Sequence, residues 1–460
     1  MDKGFNPSAC QIDEAIIRKP NGDTKNITAL IAKFGFTQSI ENVSYSGILE
    51  IYDGVGVLEN FGLRGEEELA IIVRCMDFNT VLKLKTQLYK IDGINRSADG
   101  GSLSYTIHFI SQTSYKAELQ KITEAFRDKT GGQIAQDIFK RYYSKIQEVN
   151  PKDDIKSEKL PADFKAKKFK ITADKGRRLY TQGSDGNLQL IVPNYRPSKA
   201  LQFVANKSFS KQSASNSYRF FETFNGYHFV TDEFLMEKAA SNPAQVADLY
   251  YFPIVSKNPI EGFDQTKIIE NMTQLKRVHT GEDLYSGGYA NKVVEIDFLQ
   301  HKVDFRTFKY SDNADYFTGA GKAALKDDVH TEEFIKETFT EKNARQFMVF
   351  RDYSSPGHIE TPAKDRIVRG DQFYSEIVSN RIAYNHHLNS SKVSATIKGR
   401  LDIEAGNVVA VMLPEISISD DRNLLNKQLG GKYLVHTVTH TVEENVLTTG
   451  MTLIKYGNTQ

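Results

Sequence analysis

"LYKIDGI" (Leu88–Ile94) with "LSYTIHFI" (Leu103–Ile110), and "YLVHTV" (Tyr433–Val438) with "LTTGMTLI" (Leu447–Ile454), read as one pair of strands written twice. A single offset of 344 positions relates the copies. Tyr89 falls on Tyr433, Ile91 on Val435, Ile94 on Val438, Leu103 on Leu447, Ile107 on Met451 and Ile110 on Ile454. One such match carries little weight in a chain that is 40% hydrophobic. Six at one offset, with the same spacing between the strands, point to a duplicated β-unit. The copies lie near opposite ends of the chain, so the sequence between them was inserted or added. Two copies of one unit also allow a chain to imitate a higher symmetry.

Around the first copy the chain reads as β up to about Thr113. "NITALIAKFGF" (Asn26–Phe36), "GILEIYDG" (Gly47–Gly54) and "EELAIIVRC" (Glu67–Cys75) have strand length and apolar content, with turn signals at Pro20–Asp23, Gly65 and Ser97–Gly101 between them. About six to seven short strands over about 110 residues suit a small barrel or sandwich. The period then changes. Leu119, Ile122 and Phe126 have helical spacing, and Thr130 and Gln133 form a capping box opening a helix with Ile134, Ile138 and Tyr142 on one face. A domain boundary is expected near Ser114. Farther on, a strand (Leu188–Val192) leads into a helix with Pro197 at its first position. Tyr218–Thr231 reads as a hairpin around Asn225-Gly226. Strands return from about Gly262. Residues 312–370 are polar and loop-rich, with one helix around Thr331–Thr338. Asp371–Tyr384 is helical, with Tyr374, Val378 and Ile382 on one face, and from Ser391 the chain is β to its end.

The expected fold class is a β-rich α+β protein: two similar antiparallel β-barrels flanking a discontinuous α+β domain. The boundaries read as 1–113 for the first barrel, 114–261 and 312–388 for the α+β domain, and 262–311 and 389–460 for the second barrel. Consecutive pieces then close compact units without threading.

Composition narrows function. The 460 residues predict about three domains. A net charge of +1 argues against bulk electrostatic binding of nucleic acid or membrane. No apolar run reaches the roughly 18 residues of a transmembrane helix, and the amino terminus shows no signal-peptide pattern. Two cysteines are too few for a disulfide framework and suit a reducing cytoplasm; Cys75 ends an apolar strand and is expected to pack as a small hydrophobe. There is no Trp, so 22 Tyr and 28 Phe carry the large contacts.

Candidate chemistry is sparse. His436 and His440 stand four apart on a strand and share a face, without an obvious third metal ligand. They read as surface or interface side chains. His386-His387 close a helix, where cations are favoured. Gly54, Gly56 and Gly62 do not fit a dinucleotide fingerprint, and there is no Walker sequence. No G-x-S-x-G and no activated cysteine is present. No catalytic residue, cofactor or metal is expected, and the chain reads as a non-enzyme. Residues 151–178 carry ten Lys/Arg against five Asp/Glu. Of these, Lys165, Lys167, Lys168 and Lys170 could face a polyanion, or form a solvated loop anchored by Phe164 and Phe169.

The ordered motifs resemble the central baseplate hub proteins of contractile-tailed, T-even-like bacteriophages. "SYSGILEIYDGVGVLENFGLRGEEELAIIV" (Ser44–Val73) and the step from "YTIHFIS" (Tyr105–Ser111) into a helix resemble that family's first barrel. "IVPNYRPSKALQFVANKS" (Ile191–Ser208) and "YRFFETFNGYHF" (Tyr218–Phe229) resemble its inserted α+β domain. "YSGGYANKVVEIDF" (Tyr285–Phe298), "GRLDIEAGNVVAVML" (Gly399–Leu413) and Gly431–Gly457 resemble its second barrel. The resemblance implies a homotrimer whose six barrels form a pseudo-sixfold ring. That ring adapts a threefold membrane-puncturing spike to a sixfold tail tube, and its channel passes the tape measure protein and then DNA. The implied partners are the spike, the tube or its initiator, the tape measure protein and transiting DNA, with no direct membrane insertion. The implied location is the virion tail baseplate, after assembly in the host cytoplasm. A near-neutral chain suits a channel through which DNA must slide rather than adhere.

Three other readings compete. A type VI secretion or extracellular contractile injection spike shares the architecture, but continues into an OB-like domain and a repeat-rich β-helix, whereas this sequence stops at Gln460. A tail-associated cell-wall hydrolase would show muralytic activity. A carbohydrate-binding tail module would expose aromatic platforms, against which the lack of Trp weighs.

Overall fold

The computed structural model describes residues 8–75, 80–97, 101–144, 170–172, 178–210, 217–241, 247–250, 265–276, 280–298, 301–309, 337, 345–350, 373–388, 392–413 and 429–457. The amino-terminal unit holds β1 (Cys10–Arg18), β2 (Thr24–Asn26), β3 (Ile31–Ser39), β4 (Ser46–Asp53), β5 (Glu68–Cys75), β6 (Thr80–Arg96) and β7 (Leu103–Ser111). They pair antiparallel in the order β1–β5–β6–β7–β4–β3. Successive strand side chains point to opposite faces. Leu103, Tyr105, Ile107 and Phe109 of β7 therefore all enter one core, with Phe34, Phe36 and Leu49 opposite. Cys10 and Cys75 face each other across β1 and β5, both buried, with their Sγ atoms 2.9 Å apart.

The middle unit holds α1 (Gln112–Glu118), β8 (Ile122–Thr130), α2 (Gly131–Tyr142), β9 (Lys170–Thr172), β10 (Leu179–Thr181), β11 (Asn187–Tyr195), α3 (Pro197–Lys207), β12 (Tyr218–Thr223), β13 (Gly226–Thr231) and α4 (Asp232–Ser241). The capping box is present: the Gln133 amide donates to Thr130 Oγ1, and the Thr130 amide donates to Gln133 Oε1. Pro197 opens α3 as expected. The helix expected over Leu119–Phe126 is a correction. It ends at Glu118, and Ile122 and Phe126 lie on β8, both buried, while Leu119 is exposed. A spacing of four places two residues on one face of a strand as well as of a helix. The turn of the β12–β13 hairpin falls one residue earlier than expected, at Phe224-Asn225, with Gly226 paired to Thr223.

The carboxy-terminal part holds β14 (Ala247–Tyr250), β15 (Ile269–Lys276), α5 (Thr280–Ser286), β16 (Ala290–Asp297), β17 (Lys302–Lys309), β18 (Arg345–Phe350), α6 (Phe373–Leu388), β19 (Lys392–Lys398), β20 (Val408–Met412), β21 (Gly431–Glu443) and β22 (Val446–Gly457). β14, β20, β21, β22, β19 and β15 pair in that order. β16, β17 and β18 form a separate three-stranded sheet. Among the described side chains of α6, Ser379, Ala383 and Tyr384 are buried, and Val378 and Ile382 are only half-buried. The helix expected at Thr331–Thr338 lies outside the described residues, apart from residue 337.

The duplication extends well beyond one hairpin. In chain order β1, β3, β4, β5, β6 and β7 correspond to β14, β15, β19, β20, β21 and β22, and each set has the same pairing order. Leu49 pairs with Ile107 and Ala395 with Met451; Ile51 pairs with Tyr105 and Ile397 with Thr449. Two of the irregularities match too, while the slips at Asp92/Asn95, Gln274/Lys276 and Lys432/Tyr433 belong to one copy each. β3 and β4 slip between Ile31 and Lys33, as β15 and β19 do between Ile269 and Asn271. β6 slips against β7 between Leu88 and Lys90, as β21 does against β22 between Val435 and Thr437. Tyr89 therefore corresponds to His436, not to Tyr433 as the single offset implied. One difference is that β14 runs parallel to β20 while β1 runs antiparallel to β5. Each unit has its own core. In place of two separate closed barrels, the described strands form one open 14-stranded sheet. The reason is the length of β21. Its 13 residues pair with β20 at the start and with β3 at the end, which joins the units.

Candidate functional site

The join between the units is a seam. Thr437–Glu443 of β21 pairs antiparallel with Lys33–Ser39 of β3. Side chains reinforce it. The Thr37 and Thr439 hydroxyls lie 2.9 Å apart, the Thr437 hydroxyl donates to Ser39 Oγ at 3.1 Å, and Lys33 Nζ lies 3.4 Å from Glu443 Oε2. The Ile40 amide donates to the His436 carbonyl at 3.0 Å.

Both seam histidines are buried. His440 stacks obliquely on Phe36, with ring centroids 4.8 Å apart. Its Nε2 lies 3.2 Å from the Ile403 carbonyl and its Nδ1 3.0 Å from Thr449 Oγ1. A carbonyl can only accept, so this network places the proton on Nε2. Burial lowers the imidazole pKa to about 4, so the ring is neutral at neutral pH. His436 sits at the β21 bulge, with Nε2 3.1 Å from Glu41 Oε1. This close contact with His436 is the main cause holding the Glu41 carboxyl at about 2.

The middle unit braces the seam from behind. Arg219 Nε donates to both Asp232 oxygens at 2.8 Å, and its Nη1 lies 3.7 Å from Glu41. Burial raises the Asp232 pKa against the pull of Arg219. The tip of the β12–β13 hairpin reaches both β-units. Ser111 and Ser114 donate to buried Glu222 at 2.7 and 2.9 Å. Phe224 packs on Phe36 and Tyr45 of the first unit, at 4.9 and 5.7 Å between centroids. Asn225 Nδ2 donates to Glu404 Oε2 of the second at 2.8 Å. Burial raises the Glu404 pKa to about 7. Gly226 is required here: its φ is +135°, and a Cβ would stand 2.6 Å from the Arg178 carbonyl oxygen.

These charged and polar groups are tied to one another, which fixes the geometry of the join. Among the described residues no group of three or more His, Cys, Asp or Glu side chains is placed to hold a metal ion, and no helix is long and apolar enough to cross a membrane. Of the residues proposed to face a polyanion, Lys165, Lys167 and Lys168 lie outside the described residues. Lys170 opens β9, which runs parallel to β6 with Lys170 opposite Thr80. Sequence reasoning missed Glu41, Glu222, Glu404, Arg219 and Asp232. Nothing in the sequence marks them, since Glu41 and His436, or Asn225 and Glu404, come together only in the folded chain. It paired His436 with His440 as one face; the bulge at His436 separates their roles.

No protein-family model matches the chain, and no curated protein matches it. Solved structures do. The tail protein from Neisseria meningitidis MC58 is similar over 96% of each chain, with a TM-score of 0.50 and 10% identity. The 43 kDa tail protein of prophage MuSo2 from Shewanella oneidensis is similar over 96% of this chain and 98% of its own, again with a TM-score of 0.50 and 10% identity. At that identity the likeness is one of fold. The chain has the fold of solved phage tail proteins, in agreement with the resemblance read from its sequence.

Proposed function

We propose that this chain is a structural hub of a contractile phage tail, acting as a homotrimer. Three copies supply six near-equivalent β-units in a ring, matching a threefold spike on one face to a sixfold tube on the other. The central channel passes the tape measure protein and then DNA. The α+β unit forms an outer brace for the join. The role is one of geometry and needs no catalysis.

One observation carries this reading: two β-units with the same pairing order and two matching bulges are fused side by side in a single chain. A duplicated unit held edge to edge is what a threefold assembly needs to present sixfold contacts. The tail-protein fold supports it. The test is the mass of the purified protein by mass photometry, alone and with its spike partner. A species at three times the 52.0 kDa chain mass is expected, and class averages of it would show a threefold ring with six similar lobes. Monomer alone under both conditions would overturn the reading. Muralytic activity abolished by one carboxylate substitution would replace it with a hydrolase.

A further inference from the structure

The described strands leave two sheet edges open, and the internal symmetry indicates what each is for. At the seam inside the chain, β21 receives β3. The counterpart of β21 is β6, and the counterpart of β3 is β15. From Lys90 to Arg96, β6 pairs with β7 on one side, and no described strand runs along the other. β15 pairs with β19 on one side, and from Asn271 to Lys276 no described strand runs along the other.

We infer that these two edges meet between copies: Asp92–Arg96 of one protomer pairs antiparallel with Met272–Lys276 of the next. The inference rests on the trimeric ring proposed above and adds its seam, residue by residue. The register follows from the internal copy. Asn95 pairs with Ser104 as Thr441 pairs with Thr448, so Asn95 stands in the place of Thr441. Thr273 pairs with Ser394 as Gly35 pairs with Ile48, so Thr273 stands in the place of Gly35. Thr441 pairs with Gly35, which puts Asn95 opposite Thr273. By the same transfer Arg96 lies opposite Met272.

Three features favour a second copy of this chain as the occupant. Within one chain the two edges do not pair: β15 ends the strand path, and β19, β22, β21, β3, β4 and β7 lie between it and β6. A head-to-tail contact of this kind generates a ring when its rotation closes. Exposure also differs. His436 is 7% exposed at the internal seam, whereas its counterpart Tyr89, beside the open edge of β6, is 47% exposed; Ile94 and Leu275, at slips on the two open edges, are 56% and 55% exposed. Finally, open edges of this length invite strand pairing, and pairing with a sister copy satisfies them.

The test is disulfide trapping in the full chain. Directly opposed strand residues have Cα atoms about 4.5–5.5 Å apart, within disulfide reach. In N95C/T273C protein, mild oxidation with oxidised glutathione joins the two thiols and reduces the glutathione disulfide. The expected result is a non-reducing gel ladder ending at three chain masses, absent from either single variant and from wild type. The off-register pair N95C/N271C is expected to leave the ladder at one chain mass. Both Asn95 and Thr273 are exposed, and mixing the two single variants avoids loading both changes on one chain; the mixture should stop at a cross-linked dimer. A trimer by mass photometry without these cross-links overturns the seam and leaves the ring standing. Monomer alone removes both.

Discussion

Two buried side chains behind the seam should shape the pH response in opposite directions. His440 titrates at about 4 in the folded chain and near 6.5 when unfolded. Between those values only the unfolded chain holds that proton, so this site loses stability as pH falls. Glu404 titrates at about 7 when folded against a model value of 4.5. Between those values only the folded chain holds the proton, so this site loses stability as pH rises. Each effect amounts to about 3 kcal/mol, and between pH 4.5 and 6.5 they oppose. In E404Q, stability relative to wild type should climb as pH rises through this window; in H440Q it should decline. Urea midpoints measured across pH 4.5–6.5 read this out as slopes, whatever each substitution does to absolute stability. Parallel slopes in all three proteins would show that neither group is buried as described. Neither residue announces itself in sequence. "LDIEAGN" and "TVTHTV" look like surface positions, and their burial depends on Asn225, Thr449 and the Ile403 carbonyl.

Within the elements, the duplicated strands solve the same packing problem with different side chains. Gly47 faces Phe109 across β4 and β7; at the matching place Val393 faces Leu453 across β19 and β22. One pair is small and large, the other two of middle size. A Cβ on Gly47 would fall on the Phe109 ring and the Gly35 carbonyl. G47V should therefore destabilise by about 1–3 kcal/mol through overpacking. F109L in the same chain should return part of that loss, with a coupling above about 0.5 kcal/mol in a double-mutant cycle; additive effects would mean the two positions do not share space. At the start of α2, T130A should cost about 1 kcal/mol in denaturant unfolding by removing half the capping box. The cap, Pro197 and the hairpin glycine were legible because each acts within a few residues. The register of the repeat was less so. The offset of 344 holds for β7 and β22, where Leu103, Ile107 and Ile110 match Leu447, Met451 and Ile454. On the first strands the bulges align Leu88 with Val435 and Lys90 with Thr437, three positions further on. The two connecting loops differ in length, and alternating apolar residues fit several registers equally well.

For the whole molecule, the order of motifs was enough to expect two related β-units around a mixed unit, and the chain has the fold of solved tail proteins. What the sequence hid is that the units share a sheet. Thr37 and Thr439 meet across the seam with 401 residues between them, and no periodicity encodes such a pairing. That arrangement separates two kinds of contact that otherwise look alike. The seam between β21 and β3 is intramolecular, so its closure does not depend on protein concentration. The contact proposed between β6 and β15 is a meeting of separate chains and follows mass action. Amide hydrogen exchange can tell them apart without any substitution. Amides in Thr437–Glu443 should exchange slowly at every concentration. Those in Asp92–Arg96 that point away from β7 should exchange fast in dilute protein and slow as the trimer forms. Equal protection of both segments in monomer would mean that the open edge of β6 is covered by its own chain. Equal exposure of that edge in the trimer would mean that the ring closes through another surface.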